Sequence, residues 1–309
     1  MLFLIIFLLL IIILIVLLVV SYKFFNVACS RDDHSIFDML KKKNMDFSSI
    51  IIRPNVEWLK EQDIQDVYIK SRDGLKLHGV FLPAKNAYRT IICVHAYRGS
   101  YATDFSAIIK YLNANHSNVL LIEQRCHGES EGKYITFGAK EKYDVVEWVN
   151  YTISKLDDKN PIYLYGLSMG CTTSLLALGC NINSRVKGVI ADCGYTSMKD
   201  SMESIIKNWY GLPTFPLINF LDMYCNLIGH FSMSETDTKK ALKNNEIPIL
   251  FIHGEDDDFV SGENARQNYA RTNGPKEIVW VAGAKHAESI IKNPDLYHDK
   301  LEYFFNTYK

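Results

Sequence analysis

Short apolar runs alternate with segments of helical periodicity along most of this chain. The apolar runs comprise residues 90–94, 119–122, 162–165, 186–191, 249–252 and 278–281. The helical segments comprise residues 102–113, 139–153, 169–178, 263–271 and 287–308. Parallel strands joined by crossover helices produce such an alternation, and the helices then cover both faces of the sheet. The pattern therefore predicts an α/β fold built around a mostly parallel sheet.

Two more strands are predicted ahead of this alternating region. Residues 67–69 and 75–82 alternate in polarity on either side of Asp73-Gly74, a dipeptide typical of tight hairpin turns. The predicted sheet thus has eight strands and begins with an antiparallel pair. In an open sheet of this kind, ligands bind beyond the carboxyl ends of the strands.

One of these strand ends carries a serine between glycines. Residues 166–170 read Gly-Leu-Ser-Met-Gly, directly after the apolar run 162–165 and directly before a helical segment. This order of strand, turn and helix is that of a nucleophile elbow, which exposes a serine to a basic side chain. Because the motif is short, an ordinary Gly/Ser turn is the alternative. Ser168 is the candidate nucleophile.

Candidate partners of this serine follow later strands. A cluster of carboxylates, residues 256–258, follows the penultimate strand, and His286 follows the last one. Asp192, directly after the run 186–191, is an alternative acid. Serine, acid and histidine at neighbouring strand ends suit a catalytic triad, in which histidine takes the serine proton and the acid orients the histidine.

A triad of this kind also needs backbone N–H groups that stabilise the oxyanion formed during acyl transfer. The amide of Met169, next to the serine, is one candidate. The amide of Tyr97, in the loop after residues 90–94, is the other.

Over roughly residues 67–305, the chain resembles the α/β-hydrolase superfamily. Residues 123–132, Glu-Gln-Arg-Cys-His-Gly-Glu-Ser-Glu-Gly, are similar to the family segment Asp-x-Arg-Gly-His-Gly-x-Ser. Within the family, the chain is similar to bacterial serine aminopeptidase-like and membrane-anchored α/β-hydrolase domain proteins. Residues 252–260 match the family's acid loop, and this match selects Asp257 rather than its acidic neighbours. The resemblance implies the α/β-hydrolase fold and a catalytic triad that needs no metal or organic cofactor.

The chain departs from the family pattern in two places. Ala96 stands where the family usually has glycine, and its methyl group is tolerated there only if Ala96 keeps a negative φ. Glu123 and Cys126 replace the usual aspartate and glycine. Arg125 and His127 are interpreted as scaffold residues that bond across strand ends.

The first twenty residues differ from the rest, because residues 2–20 contain no polar side chain. That length suffices to cross a bilayer as a helix. We predict a transmembrane anchor over residues 1–22, a helical linker over 23–64 and a hydrolase domain over 65–309. A cleaved signal peptide is the alternative, although no Lys or Arg precedes the apolar segment. The membrane side stays open, because the basic residues after the span favour the cytoplasm whereas anchored bacterial hydrolases commonly face outwards.

Residues 198–246 interrupt the alternation and are rich in aromatic side chains. We predict that they form a small helical cap that gives the site an apolar wall. Together with the anchor, this cap favours a lipophilic or medium-chain ester as substrate.

Composition narrows the functional class. A formal net charge of −1 provides no basic excess for binding nucleic acid. The seven cysteines include no C-x-x-C pair, so they predict neither a zinc site nor a complete disulfide set. From the candidate triad and the apolar segment, we predict a membrane-anchored serine hydrolase acting on small carboxylic esters. The alternatives are a serine peptidase or acyltransferase with the same triad, and a catalytically silent membrane-tethered binding module.

Overall fold

The structure is a computed structural model that describes residues 1–31, 55–156 and 159–309. Its described residues contain one sheet of eight strands: β1 (Gln65–Lys70), β2 (Lys76–Leu82), β3 (Arg89–Val94), β4 (Ser117–Ile122), β5 (Ile162–Leu167), β6 (Val186–Asp192), β7 (Ile249–Gly254) and β8 (Lys276–Val281). Their order is β1-β2-β4-β3-β5-β6-β7-β8. Strand β2 pairs antiparallel with β1 and β4, and the other neighbours are parallel. The predicted fold class is confirmed.

Helices cover both faces of this sheet. In chain order, they are α1 (Leu2–Cys29), α2 (Val56–Lys60), α3 (Tyr101–Asp104), α4 (Ile109–Ala114), α5 (Glu141–Lys155), α6 (Met169–Ala177), α7 (Met198–Tyr210), α8 (Leu217–Tyr224), α9 (Lys239–Lys243), α10 (Glu263–Arg271), α11 (Ser289–Lys292) and α12 (Pro294–Thr307). Apolar side chains of α4 and α12 pack on one face, and those of α5 and α6 pack on the other. The strands lie buried between these two layers, which is why they read as continuous apolar runs.

The helix predicted over residues 102–113 is instead two short helices, α3 and α4. The hydroxyl of Ser106 donates a hydrogen bond to the carbonyl of Thr103 at 2.8 Å, and its N–H donates to the same carbonyl at 3.3 Å. These local bonds replace the helical ladder, because short polar side chains compete for backbone groups.

The helix predicted over residues 287–308 is also divided, into α11 and α12. Pro294 begins α12, and the side chain of Asn293 accepts a hydrogen bond from the N–H of Leu296. Proline disfavours helical geometry in the residue before it but suits the first position of a new helix. The break therefore follows from Pro294.

Helix α1 is long and apolar enough to cross a membrane, with a mean hydropathy of 4.0 in its most apolar window. A signal sequence near the N-terminus can meet the same criteria of length and apolar composition. The helix extends to Cys29, beyond residue 22, where the anchor was predicted to end. Its last turns pack against the protein and bury Phe25 and Cys29. Of the predicted linker, residues 32–54 lie outside the described part of the chain.

The region between β6 and β7 forms a helical layer over the carboxyl ends of the strands. It contains α7, α8, a π-helical turn (Cys225–Gly229), a 3-10 turn (Met233–Thr236) and α9. Met202 of α7, Leu221 of α8 and Phe231 form one buried cluster with Phe25 of α1. The end of α1 and the helical cap thus share a hydrophobic core.

An ion-pair network centred on the buried Arg125 joins three parts of the fold. Arg125, after β4, lies 2.6 Å from Asp144 of α5 and 2.8 Å from Asp73 in the β1–β2 turn. Burial raises the pKa of Asp144 to about 6 although Arg125 opposes this shift. The hydrogen bonds from Arg125 lower the pKa of Asp73 to about 2. The guanidinium is therefore the compensating charge for a buried carboxylate.

We expect Arg125→Met to destabilise the protein by about 3–5 kcal/mol, because Asp144 then loses its buried counter-charge. The matched control is Arg72→Met, since Arg72 is half-exposed and pairs with Glu147 at 2.9 Å on the surface. That change should cost about 0–1 kcal/mol. Denaturant unfolding of the full chain in detergent measures both. Equal losses would contradict the role assigned to Arg125.

Candidate active site

Ser168 lies in the turn between β5 and α6, with φ 53° and ψ −113°. This backbone conformation is strained for a residue other than glycine. The surrounding chain imposes it, because a Cβ atom on Gly170 would lie 1.9 Å from the carbonyl oxygen of Val94. A Cβ atom on Gly166 would lie 2.3 Å from the carbonyl oxygen of Gly170. Both glycines are therefore required by the close approach of backbone segments at this elbow.

The structure brings Ser168, His286 and Asp257 into one chain of hydrogen bonds. The Nε2 atom of His286 lies 2.9 Å from the Oγ atom of Ser168. The Nδ1 atom of His286 lies 2.8 Å from the Oδ2 atom of Asp257. Because a carboxylate can only accept, Nδ1 carries the imidazole proton and Nε2 accepts from the serine hydroxyl. In this arrangement the imidazole can take the serine proton.

Backbone groups and a second histidine hold Asp257 in place. Its Oδ1 atom accepts hydrogen bonds from the N–H groups of Phe259 at 3.0 Å and Val260 at 2.8 Å. The Nε2 atom of His253 lies 3.2 Å from its Oδ2 atom. Burial by itself would raise the pKa of Asp257, but His286 and His253 hold that pKa below its ordinary value. The carboxylate is therefore ionised where it contacts the imidazole.

His253 was not assigned a role from the sequence. It is the next-to-last residue of β7, four residues before Asp257, and is completely buried. Two signals were available in the sequence: its place near a strand end, which many histidines share, and its position within the acid-loop match over residues 252–260. Its contact with the carboxylate identifies it as a positioning residue.

Asp192, the alternative acid, lies at the end of β6 but does not bond to His286. Its Oδ2 atom accepts a hydrogen bond from the hydroxyl of Tyr297 at 2.7 Å. Its Oδ1 atom is buried and has no hydrogen-bond partner among the described residues. Burial raises the pKa of Asp192 to about 6. The geometry thus favours Asp257 as the partner of the imidazole.

The loop after β3 brings Tyr97 to the same cleft as Ser168. The N–H of Ala96 donates to Asp104 at 2.8 Å, and the N–H of Arg98 donates to His127 at 3.1 Å. Ala96 keeps a negative φ, and the positive φ of this loop falls on Arg98, at 53°. The methyl group of Ala96 is therefore compatible with the turn.

Met169 provides the other predicted oxyanion donor and is the first residue of α6. The first N–H groups of a helix have no partner within the helix, and the helix dipole favours negative charge beside them. The amide of Met169 therefore belongs to a helix terminus that suits an oxyanion next to Ser168.

The second departure from the family pattern also has a structural account. Cys126 adopts φ 68°, a conformation in which glycine costs less than any side chain. Glu123 accepts hydrogen bonds from the N–H of Glu129 at 2.7 Å and from the ring of His78 at 2.8 Å. Glu123 thus supports the loop that contains Arg125, and Cys126 joins the buried cluster that includes Phe137 and Met169.

A cleft with an empty volume of about 1070 Å³, its open mouth included, lies over Ser168. Its walls come from the end of α1, from α7, and from the loops after β3 and β7. Aromatic and aliphatic side chains predominate: Phe24, Val27, Tyr97, Phe137, Ile205, Trp209 and Phe259. Among the described residues, no group of three His, Cys, Asp or Glu side chains could hold a metal ion.

Comparisons with known proteins agree with this architecture. The family model of the α/β-hydrolase fold matches residues 89–216. The uncharacterised protein YqkD of Bacillus subtilis is 28% identical over 238 residues, which cover 77% of this chain and 78% of YqkD. The α/β-hydrolase domain-containing protein WAV2 of Arabidopsis thaliana is 22% identical over 245 residues, 75% of each chain. The solved esterase PF2001 of Pyrococcus furiosus has a TM-score of 0.65 at 24% identity, covering 80% of this chain and 92% of its own.

The sheet order, the glycine-flanked serine turn and these matches define the class of protein. The protein has the α/β-hydrolase fold, and residues 89–216 are similar to the family that shares this fold.

The buried carboxyl of Asp192 predicts a measurable dependence of stability on pH. Its pKa is about 6 in the folded protein against an ordinary 3.8, so the unfolded chain releases the proton first as the pH rises. Below about pH 4 the carboxyl is protonated in both the folded and the unfolded chain, so its ionisation does not lower the stability of the protein. Between about pH 4 and pH 7, the free energy of unfolding of the wild-type protein therefore falls by about 3 kcal/mol relative to that of Asp192→Asn.

Denaturant unfolding of both proteins at several pH values tests this. We subtract the free energy of unfolding of the wild type from that of the variant at each pH. This difference should rise between about pH 4 and pH 7. A constant effect of the substitution on stability would shift the curve but not its slope. Parallel curves for the two proteins would contradict it.

Proposed function

We propose that this protein is a serine hydrolase that cleaves carboxylic esters. The observation that carries the proposal is the continuous hydrogen-bond chain from Asp257 through His286 to Ser168. A serine hydroxyl becomes a useful nucleophile when an oriented imidazole removes its proton. The solved relative from Pyrococcus furiosus is an esterase by name, which supports an ester rather than an amide as substrate.

The first half of the reaction acylates the serine. Ser168 Oγ attacks the carbonyl carbon of the ester while its proton passes to Nε2 of His286. The amides of Tyr97 and Met169 stabilise the negative oxygen of the tetrahedral intermediate. The intermediate then collapses, the bond to the alcohol oxygen breaks, and the alcohol leaves with the proton from His286. Throughout, the carboxylate of Asp257 stabilises the imidazolium.

The second half repeats these steps with water. Water gives a proton to His286 and attacks the acyl carbon, and the same two amides stabilise the second oxyanion. Collapse releases the carboxylic acid and returns the proton to Ser168 Oγ. One ester and one water thus become one acid and one alcohol.

We further propose that α1 remains on the mature protein as a membrane anchor. Cleavage of a signal peptide would remove contacts that the catalytic domain uses. The hydroxyl of Tyr97 donates to the carbonyl of Ala28 at 2.9 Å, and Arg98 donates to the carbonyl of Val27 at 2.8 Å. A cation at the C-terminus of a helix also stabilises that helix.

Covalent labelling with a fluorophosphonate tests the proposed nucleophile. We expect the wild-type chain to be labelled, because the activated Oγ atom attacks phosphorus as it attacks a carbonyl carbon. Ser168→Ala should abolish labelling and reduce hydrolysis of p-nitrophenyl acetate by about 10⁴-fold or more.

Ser201→Ala is the matched control. Ser201 lines the same cleft from α7, and its hydroxyl donates to the carbonyl of Ser197 rather than to the imidazole. This variant should be labelled like the wild type. Labelling that survives in Ser168→Ala would refute the assignment. A folded wild-type chain that does not react would instead favour a silent binding module.

A further inference from the structure

The wall of the cleft that faces α7 is formed by the last turns of α1. Phe24, Val27 and Ala28 line the cleft from this side, opposite Ile205 and Trp209. The helix that has the composition of a membrane span therefore ends as part of the cleft over Ser168.

Several contacts fix this end of α1 on the catalytic domain. The hydroxyl of Ser21 donates to the carbonyl of Leu217 in α8 at 3.1 Å. The carbonyl of Cys29 accepts from the N–H of Ile135 at 2.7 Å. Ring contacts join Phe24 to Tyr210 at 5.0 Å between centroids. The distance between the apolar stretch and the cleft is therefore set by the helix itself.

That distance is short. The stretch without polar side chains ends at Val20, and the cleft begins at Phe24 and continues to Ala28. At about 1.5 Å per residue, these positions lie about 6–12 Å beyond the apolar stretch, at the outer edge of the headgroup layer of a bilayer and just past it. With α1 spanning a membrane, the mouth of the cleft lies at the membrane surface.

The cap exposes apolar side chains on the segments that lie next to α1. Phe215 is 75% exposed and Leu227 is 67% exposed. Phe215 follows α7 closely in the chain, and Leu227 follows Tyr224, whose ring lies 5.4 Å from that of Tyr22 on α1. Aromatic and aliphatic groups in such positions suit the interface between water and lipid.

Charge in the cleft limits the alcohol part of the substrate. Among the described residues that line it, Asp200 is the only charged one, and its neighbours Ser201, Ser204 and Asn264 are polar and neutral. A hydroxyl-bearing alcohol suits these groups. Among the described lining residues, an anionic headgroup would meet the carboxylate of Asp200 and no cation, because Arg98 bonds to the carbonyl of Val27 from outside the lining.

We propose that the substrate is an uncharged long-chain lipid ester taken directly from the bilayer. Its acyl chain enters between α1 and α7, and its carbonyl carbon reaches Ser168 Oγ. Hydrolysis then proceeds as described above and gives a fatty acid and a hydroxyl-bearing alcohol. This inference rests on the proposed ester hydrolase activity and on the proposed membrane span.

The test uses the full chain in phosphatidylcholine vesicles and measures its hydrolysis of two esters. Monopalmitoylglycerol is supplied in the bilayer and p-nitrophenyl acetate in water. Val27→Trp adds bulk to the wall of the cleft at a side chain that is half-exposed. The ratio of palmitoyl to acetyl hydrolysis should fall by at least about tenfold, the effect of excluding two or three methylene groups. Ile13→Trp, on the exposed apolar part of the same helix, is the control and should keep the wild-type ratio.

A second measurement uses the wild-type chain alone. Added phosphatidylcholine at constant total monopalmitoylglycerol should lower the rate in proportion to the mole fraction of ester in the bilayer. Lysophosphatidylglycerol, which is anionic, should be hydrolysed at least about tenfold more slowly than monopalmitoylglycerol.

The outcomes separate this inference from the proposed function. Three results would each overturn the inference: an unchanged palmitoyl-to-acetyl ratio in Val27→Trp, a rate independent of the mole fraction of ester in the bilayer, or equal hydrolysis of the anionic lipid. Labelling of Ser168 and hydrolysis of the acetyl ester would persist in each case. A wild-type chain that neither reacts with a fluorophosphonate nor hydrolyses either ester would overturn both.

Discussion

The close approach of α6 to the end of β3 is the constraint on which the site depends. No atom larger than hydrogen fits between Gly170 and the carbonyl of Val94, so the helix begins directly against the strand. This contact imposes the positive φ of Ser168 and places its hydroxyl at the carboxyl edge of the sheet. The loops after β7 and β8 bring Asp257 and His286 to the same edge. The strained serine and the helix terminus thus follow from one packing contact, and the parallel sheet brings the imidazole to the same edge.

A second consequence of the fold is that the amino-terminal helix and the catalytic loops form one structural unit. Tyr97 lines the cleft beside Ser168 and also donates its hydroxyl to the end of α1. The positive φ that allows this loop to turn falls on Arg98, whose guanidinium bonds to the same helix end. Because the loop and the helix share these bonds, a change in one alters the support of the other. With the proposed membrane span, attachment of α1 to a membrane and access to the site would therefore be coupled.

Much of the architecture could be predicted from sequence because strand ends are located by periodicity alone. Ser168 lies three residues after an apolar run and His286 lies five residues after another, and parallel strands bring such residues to one edge. Three adjacent carboxylates had equal claims by position, and only the family resemblance selected Asp257. In the structure its two acidic neighbours are exposed, whereas Asp257 is buried and bonded.

Other features left no periodic pattern to detect. The two helix breaks depend on single residues, Ser106 and Pro294, within otherwise helical segments. The wall that α1 contributes depends on contacts such as Ser21 to Leu217, which join residues almost two hundred positions apart.

The structure of a covalent adduct between the full chain and a long-chain alkyl fluorophosphonate would test the account most directly. We expect phosphorus on Ser168 Oγ, the phosphoryl oxygen about 3 Å from the amides of Tyr97 and Met169, and the alkyl chain between α1 and α7. An adduct on another residue, or an oxygen directed away from both amides, would contradict it.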